Sequence, residues 1–306
     1  MTVDRKNPFP QKRVVVFAYH RFGARCLQVL LDQGVDVALV VTHQDDPQET
    51  IWFESVARLA GCHCIPTITP QDPNHPVLVE AIRGLHPDFI FSFYYRHLLG
   101  AELLSLPTQG AYNLHGSLLP KYRGRVPINR AVIHGETETG ATLHAMTIKP
   151  DQGDIVAQVR VPIGAEDTAF EVFERLAPAA TLMLGHVLGP LFLGSAPHTP
   201  QVLARGSYFG GRRPEDGRID WRQSAQAIHN LVRGVAPPYP GAFTQLGGKT
   251  ARILRTSLRP HPQAVAQTVG GDGQPLFLLE LELEGTLLDA QGFKAHFPQG
   301  VHPTQV

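Results

Sequence analysis

The sequence predicts an α/β fold in which a Rossmann-like, doubly wound and mostly parallel sheet is followed by a small β-domain. Three largely apolar runs support the sheet, at residues 14–19, 35–41 and 89–93. Runs of this length are typical of strands that are buried on both faces of a parallel sheet. The chain has 306 residues, which is enough for two domains with separate cores.

Helical patterns lie between these apolar runs. Apolar residues between Cys26 and Leu31 recur with the spacing of one helix face, and Gly34 is expected to end that helix. Further elements predicted from the pattern are helices at residues 52–59 and 77–85 and a short strand at Ile65. Strands that alternate with helices in this way favour βαβ units and a parallel sheet.

The second half of the chain predicts two strands, two helices and then a series of short strands. The predicted strands lie at residues 141–146 and 155–161, and the helices at 169–193 and 224–235. Short strands separated by glycines and prolines follow at 242–246, 251–258 and 276–283, a pattern that fits a small β-barrel or a sandwich. The predicted organisation is a flexible leader at 1–12, a first domain at 13–193, a linker at 194–205 and a C-terminal domain at 206–306.

Composition argues against several classes of partner. Acidic and basic residues balance at 27 each, so no net positive field attracts nucleic acid or an anionic membrane surface. No apolar run approaches the ~20 residues of a membrane span, and the polar N-terminus lacks the apolar core of a signal peptide. We therefore expect a cytoplasmic protein with no nucleic-acid partner and no membrane insertion.

Neither a metal nor a nicotinamide cofactor is expected. The cysteines Cys26, Cys62 and Cys64 form no C-x-x-C pair, and we interpret the Cys-His-Cys run at 62–64 as the entry to a short strand. The first β-α turn, at residues 20–23, lacks the glycines that bind the pyrophosphate of a dinucleotide.

Asn113 and His115 form the most informative pair of polar residues. They are two positions apart after a short apolar segment, so on an extended strand both side chains point to the same side. Acyl transfer needs this combination, because an amide can stabilise an oxyanion while an imidazole moves a proton. The spacing alone also fits a strand-end Asn and His that bind backbone groups of the next loop.

The motif around this pair resembles a known family. The run N-L-H-G-S-L-L-P-K-Y-R-G at residues 113–124, with D-Q-G-D at 151–154, resembles the folate-dependent formyltransferases. Segments at 15–20, 91–98, 134–140 and 154–158 are similar to the branch that formylates UDP-4-amino-4-deoxy-L-arabinose in lipid A modification and polymyxin resistance. The likeness is dense at residues 14–158, returns at 209–221 and 229–243, and is weak after Arg259.

The resemblance implies a 10-formyltetrahydrofolate-dependent N-formyltransferase with a folate-binding catalytic domain at 13–193 and an OB-like C-terminal domain. It implies that Asn113, His115 and Asp151 are catalytic, with the Asp151 carboxylate favouring the imidazolium form of His115. The role of Asp154 stays open. Bifunctional members of this branch carry a dehydrogenase half as well, so we expect a separate dehydrogenase/decarboxylase to act in the same pathway.

The resemblance also implies ligand contacts. The formyl donor is expected to bind loop backbone groups and one arginine, namely at His97, Leu98, Leu99, Arg125, Thr147, Ile148, Lys149 and Pro150. For the nucleotide-sugar, the residue types just after the linker and on one helix face suggest binding by Phe209, Arg212, Asn230 and Arg233, although each also fits a solvated surface position.

Other functions remain open from the sequence. Another nucleotide amino-sugar N-formyltransferase or a methionyl-tRNA formyltransferase would use the same chemistry. From Gln201 onward the chain has 11 Lys+Arg against 8 Asp+Glu, and Asp45, Asp46 and Glu49 form an acidic segment, which gives tRNA little to bind. A folate- or sugar-binding module would have no need of Asn113, His115 and Asp151 together, and hydrolysis of the formyl donor would need no second substrate.

Overall fold

The computed structural model describes residues 12–45 and 51–298. The predicted leader, apart from Lys12, and the acidic residues Asp46 and Glu49 lie outside the described residues. The described chain forms two compact units. The sheet unit comprises the described residues of Met1–Gly124, Gly140–Val161 and Arg175–Phe209, and the C-terminal unit comprises those of Arg125–Thr139, Pro162–Glu174 and Gly210–Val306.

The helices and strands alternate through the first half of the chain. They are β1 (Arg13–Ala18), α1 (His20–Asp32), β2 (Asp36–Val41), α2 (Val56–Cys62), β3 (Thr67–Ile68), α3 (Pro76–Gly84), β4 (Phe89–Phe93), α4 (Ala101–Leu104), β5 (Ala111–His115), β6 (Arg123–Gly124), α5 (Pro127–Ile133), β7 (Glu138–Ala145) and β8 (Ile155–Pro162). The elements that follow are α6 (Ala169–Phe192), β9 (Tyr208–Phe209), α7 (Ala225–Val235), β10 (Ala242–Leu246), β11 (Lys249–Ser257), β12 (Ala266–Val269), β13 (Pro275–Leu283), β14 (Thr286–Leu288) and α8 (Ala290–His296).

The large sheet has the strand order β3-β2-β1-β4-β5-β7-β8. The pairs from β3 to β5 are parallel, and β7 pairs with β5 in the antiparallel direction. The chain returns to the middle of the sheet between β3 and β4, so β1 and β4 flank the point at which the strand order reverses. The predicted Rossmann-like, mostly parallel sheet is confirmed.

The predicted apolar runs form the centre of this sheet. The three valines Val14 to Val16 are completely buried on β1, and they pair in register with β4. On β4, the ring of Phe91 stacks between those of Phe89 and Phe93, with centroid distances of 5.9 and 5.6 Å. Burial on both sides explains why these strands lack alternating polar residues.

Helix α1 ends where the sequence predicts. Cys26 and Leu30 lie on its buried face, and Gly34 follows with a φ of 70°. The N–H of Gly34 donates to the carbonyl of Leu31 at 2.9 Å, and the N–H of Val35 donates to the carbonyl of Leu30 at 3.0 Å. These bonds satisfy the last carbonyls of the helix, and the left-handed backbone that they need favours glycine.

Two neighbouring elements begin later than the sequence predicts. The helix expected from residue 52 begins at Val56, because the Ser55 hydroxyl caps it by accepting a hydrogen bond from the Arg58 N–H at 3.3 Å. The short strand expected at Ile65 lies at Thr67–Ile68, where it pairs with β2.

The C-terminal unit contains a small antiparallel sheet with the order β10-β11-β13-β12, and β14 pairs with β13. Helix α7 covers this sheet, since Ile228 and Val232 belong to the same buried cluster as Ile253 and Leu281. Trp221 adds a buried polar bond, in which its indole N–H donates to the Thr244 hydroxyl at 2.9 Å. The predicted small β-domain is therefore confirmed as a curled antiparallel sheet.

Helix α5 belongs to the C-terminal unit although it lies between two strands of the large sheet in the chain. The Asn129 side chain donates to the carbonyl of Gly234 on α7 at 2.8 Å. A Cβ atom at Gly234 would collide with the side chain of Ile133, so glycine permits this close helix packing. The predicted boundaries at 193 and 206 follow the chain order and stay predictions.

Candidate active site

Asn113 and His115 lie on β5, between a parallel and an antiparallel neighbour. Asn113 is the register partner of Ser92 on β4 and of His144 on β7. Because they are two residues apart, both side chains of the pair project from the same face of the strand. His115 is 7% exposed and Asn113 is partly buried, so both polar side chains are largely removed from bulk water.

The loop after β5 fixes the ring of His115. Its Nε2 lies 2.8 Å from the carbonyl oxygen of Tyr122, and since a carbonyl can only accept, Nε2 carries the hydrogen. The loop is itself held, because the Ser117 hydroxyl donates to the carbonyl of Lys121 at 2.6 Å and the Tyr122 N–H donates to the Ser207 hydroxyl at 2.9 Å. Nδ1 is therefore the ring nitrogen of His115 that can exchange a proton.

The Asp151 carboxylate faces two histidines. Its Oδ1 lies 3.6 Å from His115 Nδ1 and 3.4 Å from His144 Nε2, and its Oδ2 accepts from the Gly124 N–H at 2.8 Å. Burial by itself would raise the pKa of the Asp151 carboxyl, but the neighbouring rings of His115 and His144 and the Gly124 N–H hold that pKa well below its usual value. Asp151 is thus a fixed negative charge.

The turn after β7 presents Asp151 in a constrained backbone conformation. Asp151 has a φ of 56°, in the left-handed region. The Gln201 side chain donates to the carbonyl of Asp151 at 3.1 Å and to that of Gly153 at 2.6 Å. A Cβ atom at Gly153 would collide with the carbonyl of Ala145, so the turn requires glycine there. The backbone carbonyl of Asp154 accepts from the Ala145 N–H at 2.9 Å, which closes the turn.

His144 is a site residue that the sequence reasoning missed. It is 1% exposed, and its Nε2 lies 3.1 Å from the Asn113 amide nitrogen. The apolar pattern of residues 141–146 predicts a strand but does not reveal which strand it pairs with. Only the β5–β7 register shows that His144 belongs beside Asn113, because it places the two residues directly opposite each other.

This arrangement suits acyl transfer to an amine. In a neutral His115 ring, Nδ1 has no hydrogen and can accept the proton of an attacking amine. Asp151, 3.6 Å from that nitrogen, would stabilise the imidazolium that results. The amide of Asn113 can donate to negative charge that develops on a carbonyl oxygen.

The loop residues predicted to bind the formyl donor are exposed for the most part. Leu98 and Ile148 are 67% and 65% exposed, so both apolar side chains are accessible to a ligand. The Asn74 side chain holds the first loop by donating to the carbonyl of Leu98 at 3.0 Å. The remaining predicted donor residues of the sheet unit are exposed or half-buried, except for the buried Leu99: His97, Leu99, Thr147, Lys149 and Pro150.

The residues predicted to bind the nucleotide-sugar have different surroundings. In the sheet unit, the ring of Phe209 stacks on that of Tyr122 at a centroid distance of 5.6 Å. In the C-terminal unit, Arg212 Nη2 donates to the carbonyl of Asp216 at 2.8 Å, while Arg212 Nη1 is buried and has no hydrogen-bond partner among the described residues. Arg125, predicted for the donor, is exposed and also belongs to the C-terminal unit.

Asn230 and Arg233 are engaged within the C-terminal unit. Each is 6% exposed, and Arg233 Nε donates to the Asn230 side-chain oxygen at 2.9 Å. Arg233 Nη1 donates to the carbonyls of Gly164 and Asp167 at 3.2 and 3.1 Å. These bonds tie α7 to residues 162–174, so both side chains have hydrogen-bond partners within the C-terminal unit. Their role in sugar binding stays a prediction.

The described ranges contain neither a metal-binding cluster nor a helix suited to cross a membrane. Residues 12–45 and 51–298 hold no group of three or more His, Cys, Asp or Glu side chains arranged to bind a metal ion. Within the same ranges, no helix combines the length and the apolar character that crossing a membrane requires.

Comparison with known families identifies the chain. Residues 12–188 match the formyl transferase family, and residues 212–291 match the formyl transferase C-terminal domain. The protein belongs to the formyl transferase family. The resemblance inferred from residues 113–124 and 151–154 is therefore confirmed at the level of the family.

Solved structures with the same fold include several sugar formyltransferases. An N-formyltransferase from Helicobacter canadensis in complex with folinic acid and dTDP-3-aminofucose matches with a TM-score of 0.71 and 20% identity, covering 88% of this formyltransferase and 99% of that chain. WlaRD, a sugar 3N-formyl transferase solved with dTDP and 5-N-formyl-THF, matches with a TM-score of 0.68 and 18% identity, covering 88% of this chain and 97% of that chain. A sugar N-formyltransferase from Shewanella sp. matches with a TM-score of 0.63 and 19% identity, covering 79% of this chain and 96% of that chain.

His115→Ala should abolish formyl transfer while the fold stays intact. We expect kcat to fall by about 10²–10⁴-fold, which is the usual contribution of a positioned general base. The measurement is formyl transfer by the purified variant, with circular dichroism and thermal unfolding as controls for folding. Near-wild-type transfer by a folded variant would show that His115 is not the base.

Proposed function

We propose that this formyltransferase transfers a formyl group from 10-formyltetrahydrofolate to the amino group of a nucleotide-linked sugar. The observation that carries the proposal is the convergence of Asn113, His115 and Asp151 in the sheet unit. Membership of the formyl transferase family supports the same reaction class. The neighbours solved with folinic acid and with 5-N-formyl-THF support a reduced folate as the donor.

The three side chains would divide two tasks, the transfer of one proton and the stabilisation of charge that develops during the reaction. His115 Nδ1 takes the proton of the amine as the amine nitrogen bonds to the formyl carbon. Asp151 stabilises the imidazolium, and the Asn113 amide stabilises the charge on the formyl oxygen. His115 then returns the proton to N10 of the folate as the bond between N10 and the formyl carbon breaks. The products are the formamide and tetrahydrofolate, with no net change in protons.

The exposed loops of the sheet unit fit a folate donor. A pterin is flat and apolar on its faces, with hydrogen-bonding groups along its edge. The exposed side chains of Leu98 and Ile148 would pack on such faces, and backbone groups of the same loops would bind the edge. We retain Arg125 as the proposed partner of the donor's carboxylate tail. The bound donor supplies the formyl group itself.

For the acceptor we propose UDP-4-amino-4-deoxy-L-arabinose, formylated on its 4-amino group. The support is the sequence similarity at residues 91–98 and 134–140 to the enzymes of lipid A modification and antibiotic resistance. The proposal includes a cytoplasmic location and a separate dehydrogenase/decarboxylase in the pathway. A second candidate is a dTDP-linked amino sugar, because two neighbours were solved with dTDP-3-aminofucose or with dTDP.

Arg212 is our proposed contact for the diphosphate of the nucleotide. Burial lowers the pKa of its guanidinium, and the nearby charge of Arg130 lowers that pKa further. A diphosphate would offset the repulsion between these two cations and would give Arg212 Nη1 a hydrogen-bond partner. For the uracil ring we keep Phe209, whose aromatic face suits stacking.

The acceptor is tested by direct comparison of substrates with one formyl donor. We expect efficient formylation of UDP-4-amino-4-deoxy-L-arabinose and none of charged initiator tRNA. The panel includes dTDP-linked 3-amino and 4-amino sugars, and each acceptor is measured at low and moderate salt. Efficient tRNA formylation that rises steeply at low salt, with no sugar activity, would reverse the proposal, because such sensitivity reports phosphate contacts. Folate product without any acceptor would identify a hydrolase.

Arg212→Leu should weaken binding of the nucleotide-sugar without slowing the chemical step. We expect the KM for the nucleotide-sugar to rise about 10- to 100-fold, which corresponds to the loss of one hydrogen bond to a charged group, with little change in kcat. The matched control is Arg213→Leu, which removes the same charge from the neighbouring exposed position. Equal effects of the two substitutions would attribute the loss to net charge and contradict a diphosphate contact at Arg212.

A further inference from the structure

His144 occupies a position in the site to which the proposed reaction gives no role. It lies on β7, is 1% exposed and pairs across the strands with Asn113. A histidine that is buried this deeply needs partners for both ring nitrogens. The identity of those partners determines where the ring carries its proton.

The hydrogen bond at Nδ1 settles the tautomer of a neutral ring. His144 Nδ1 lies 2.8 Å from the carbonyl oxygen of Ala145, and a carbonyl only accepts, so Nδ1 carries the hydrogen. Nε2 of the neutral ring is then a hydrogen-bond acceptor. It faces the Asn113 amide nitrogen at 3.1 Å and Asp151 Oδ1 at 3.4 Å.

The shorter of these two contacts favours the neutral ring. The separation from Asn113 lies within the usual hydrogen-bond range, whereas the separation from Asp151 Oδ1 lies beyond it. An amide nitrogen only donates, so the Asn113 contact requires a bare Nε2 on His144. A charged ring would instead donate from Nε2 to Asp151, and the Asn113 amide would have to rotate so that its oxygen accepted.

We propose that His144 is a positioning residue that fixes the amide of Asn113 for catalysis. One N–H of the amide is held by His144 Nε2, which leaves the second N–H to donate to the formyl oxygen. Rotation of the amide by half a turn would set two lone pairs against each other, at Nε2 and at the amide oxygen. The amide is therefore kept with its nitrogen, and not its oxygen, toward the developing negative charge.

This inference rests on the proposed catalytic role of Asn113 and is tested by two substitutions at one position. His144→Leu removes the hydrogen-bond acceptor of the Asn113 amide. We expect kcat to fall by about 10- to 100-fold, which is less than the fall expected from losing the Asn113 amide itself. The KM values for the formyl donor and for the amino sugar should stay within about threefold. His144→Gln supplies a side-chain oxygen near the position of Nε2 and should recover most of the loss. Equal kcat values for the two variants, or a change confined to KM, would overturn the proposal.

A second histidine provides the matched control. His198 Nε2 lies 3.1 Å from the Tyr112 hydroxyl, and its Nδ1 lies 3.2 Å from the carbonyl of Ala196. Tyr112 precedes Asn113 on β5, so its side chain projects from the opposite face of the strand. His198→Leu should therefore leave kcat close to that of the wild type. A fall in kcat as large as that of His144→Leu would show that both substitutions act by generally loosening the strand.

The tautomer of His144 can be read without any substrate. Nitrogen-15 NMR of the whole enzyme, with the His144 signals assigned from their loss in His144→Gln, should show a protonated Nδ1 and a bare Nε2 at pH 7.5. A protonated Nε2 would overturn the proposal. Since this spectrum needs no acceptor, failure of the wild-type enzyme to formylate any amino sugar would count against the proposed function and not against the role of His144.

Discussion

The buried negative charge of Asp151 is the constraint on which the arrangement of the site depends. A carboxylate that is 11% exposed needs hydrogen bonds and opposite charges to replace the water that it has lost. The N–H of Gly124 on β6 donates to it, and the rings of His115 on β5 and His144 on β7 lie 3.6 and 3.4 Å from its Oδ1. These elements therefore converge on one carboxylate, which holds Asp151 beside the face of β5 that carries Asn113 and His115.

Much of the sheet and part of the site could be predicted from the sequence, because they are encoded locally. Apolar runs mark β1, β2 and β4, and the spacing of Asn113 and His115 places both on one face of β5. His144 could not be predicted, since its importance comes from the antiparallel β5–β7 register, which joins residues that lie 31 positions apart. The hydrogen-bonding role of Gly124 also depends on a long-range contact, with the turn at Asp151.

The C-terminal unit illustrates the same limit. The sequence predicts Asn230 and Arg233 on one helix face, and α7 does carry both, but only the fold reveals that residues 162–174 occupy that face. The packing of α5 against α7 depends likewise on the close approach at Gly234. Sequence patterns identify which residues are polar and where helices run, whereas the partner of a polar group is decided by tertiary packing.

The central claim is that Asp151 acts through His115, and a double-mutant cycle tests it most directly. The kcat of formyl transfer is measured for His115→Ala, Asp151→Asn and the double variant, each confirmed to be folded. If Asp151 acts by stabilising the imidazolium of His115, substituting Asp151 should lower kcat very little further in a variant that already lacks the imidazole. We predict that the double variant matches His115→Ala within about threefold. Losses that multiply in the double variant would contradict this coupling and give Asp151 an independent role.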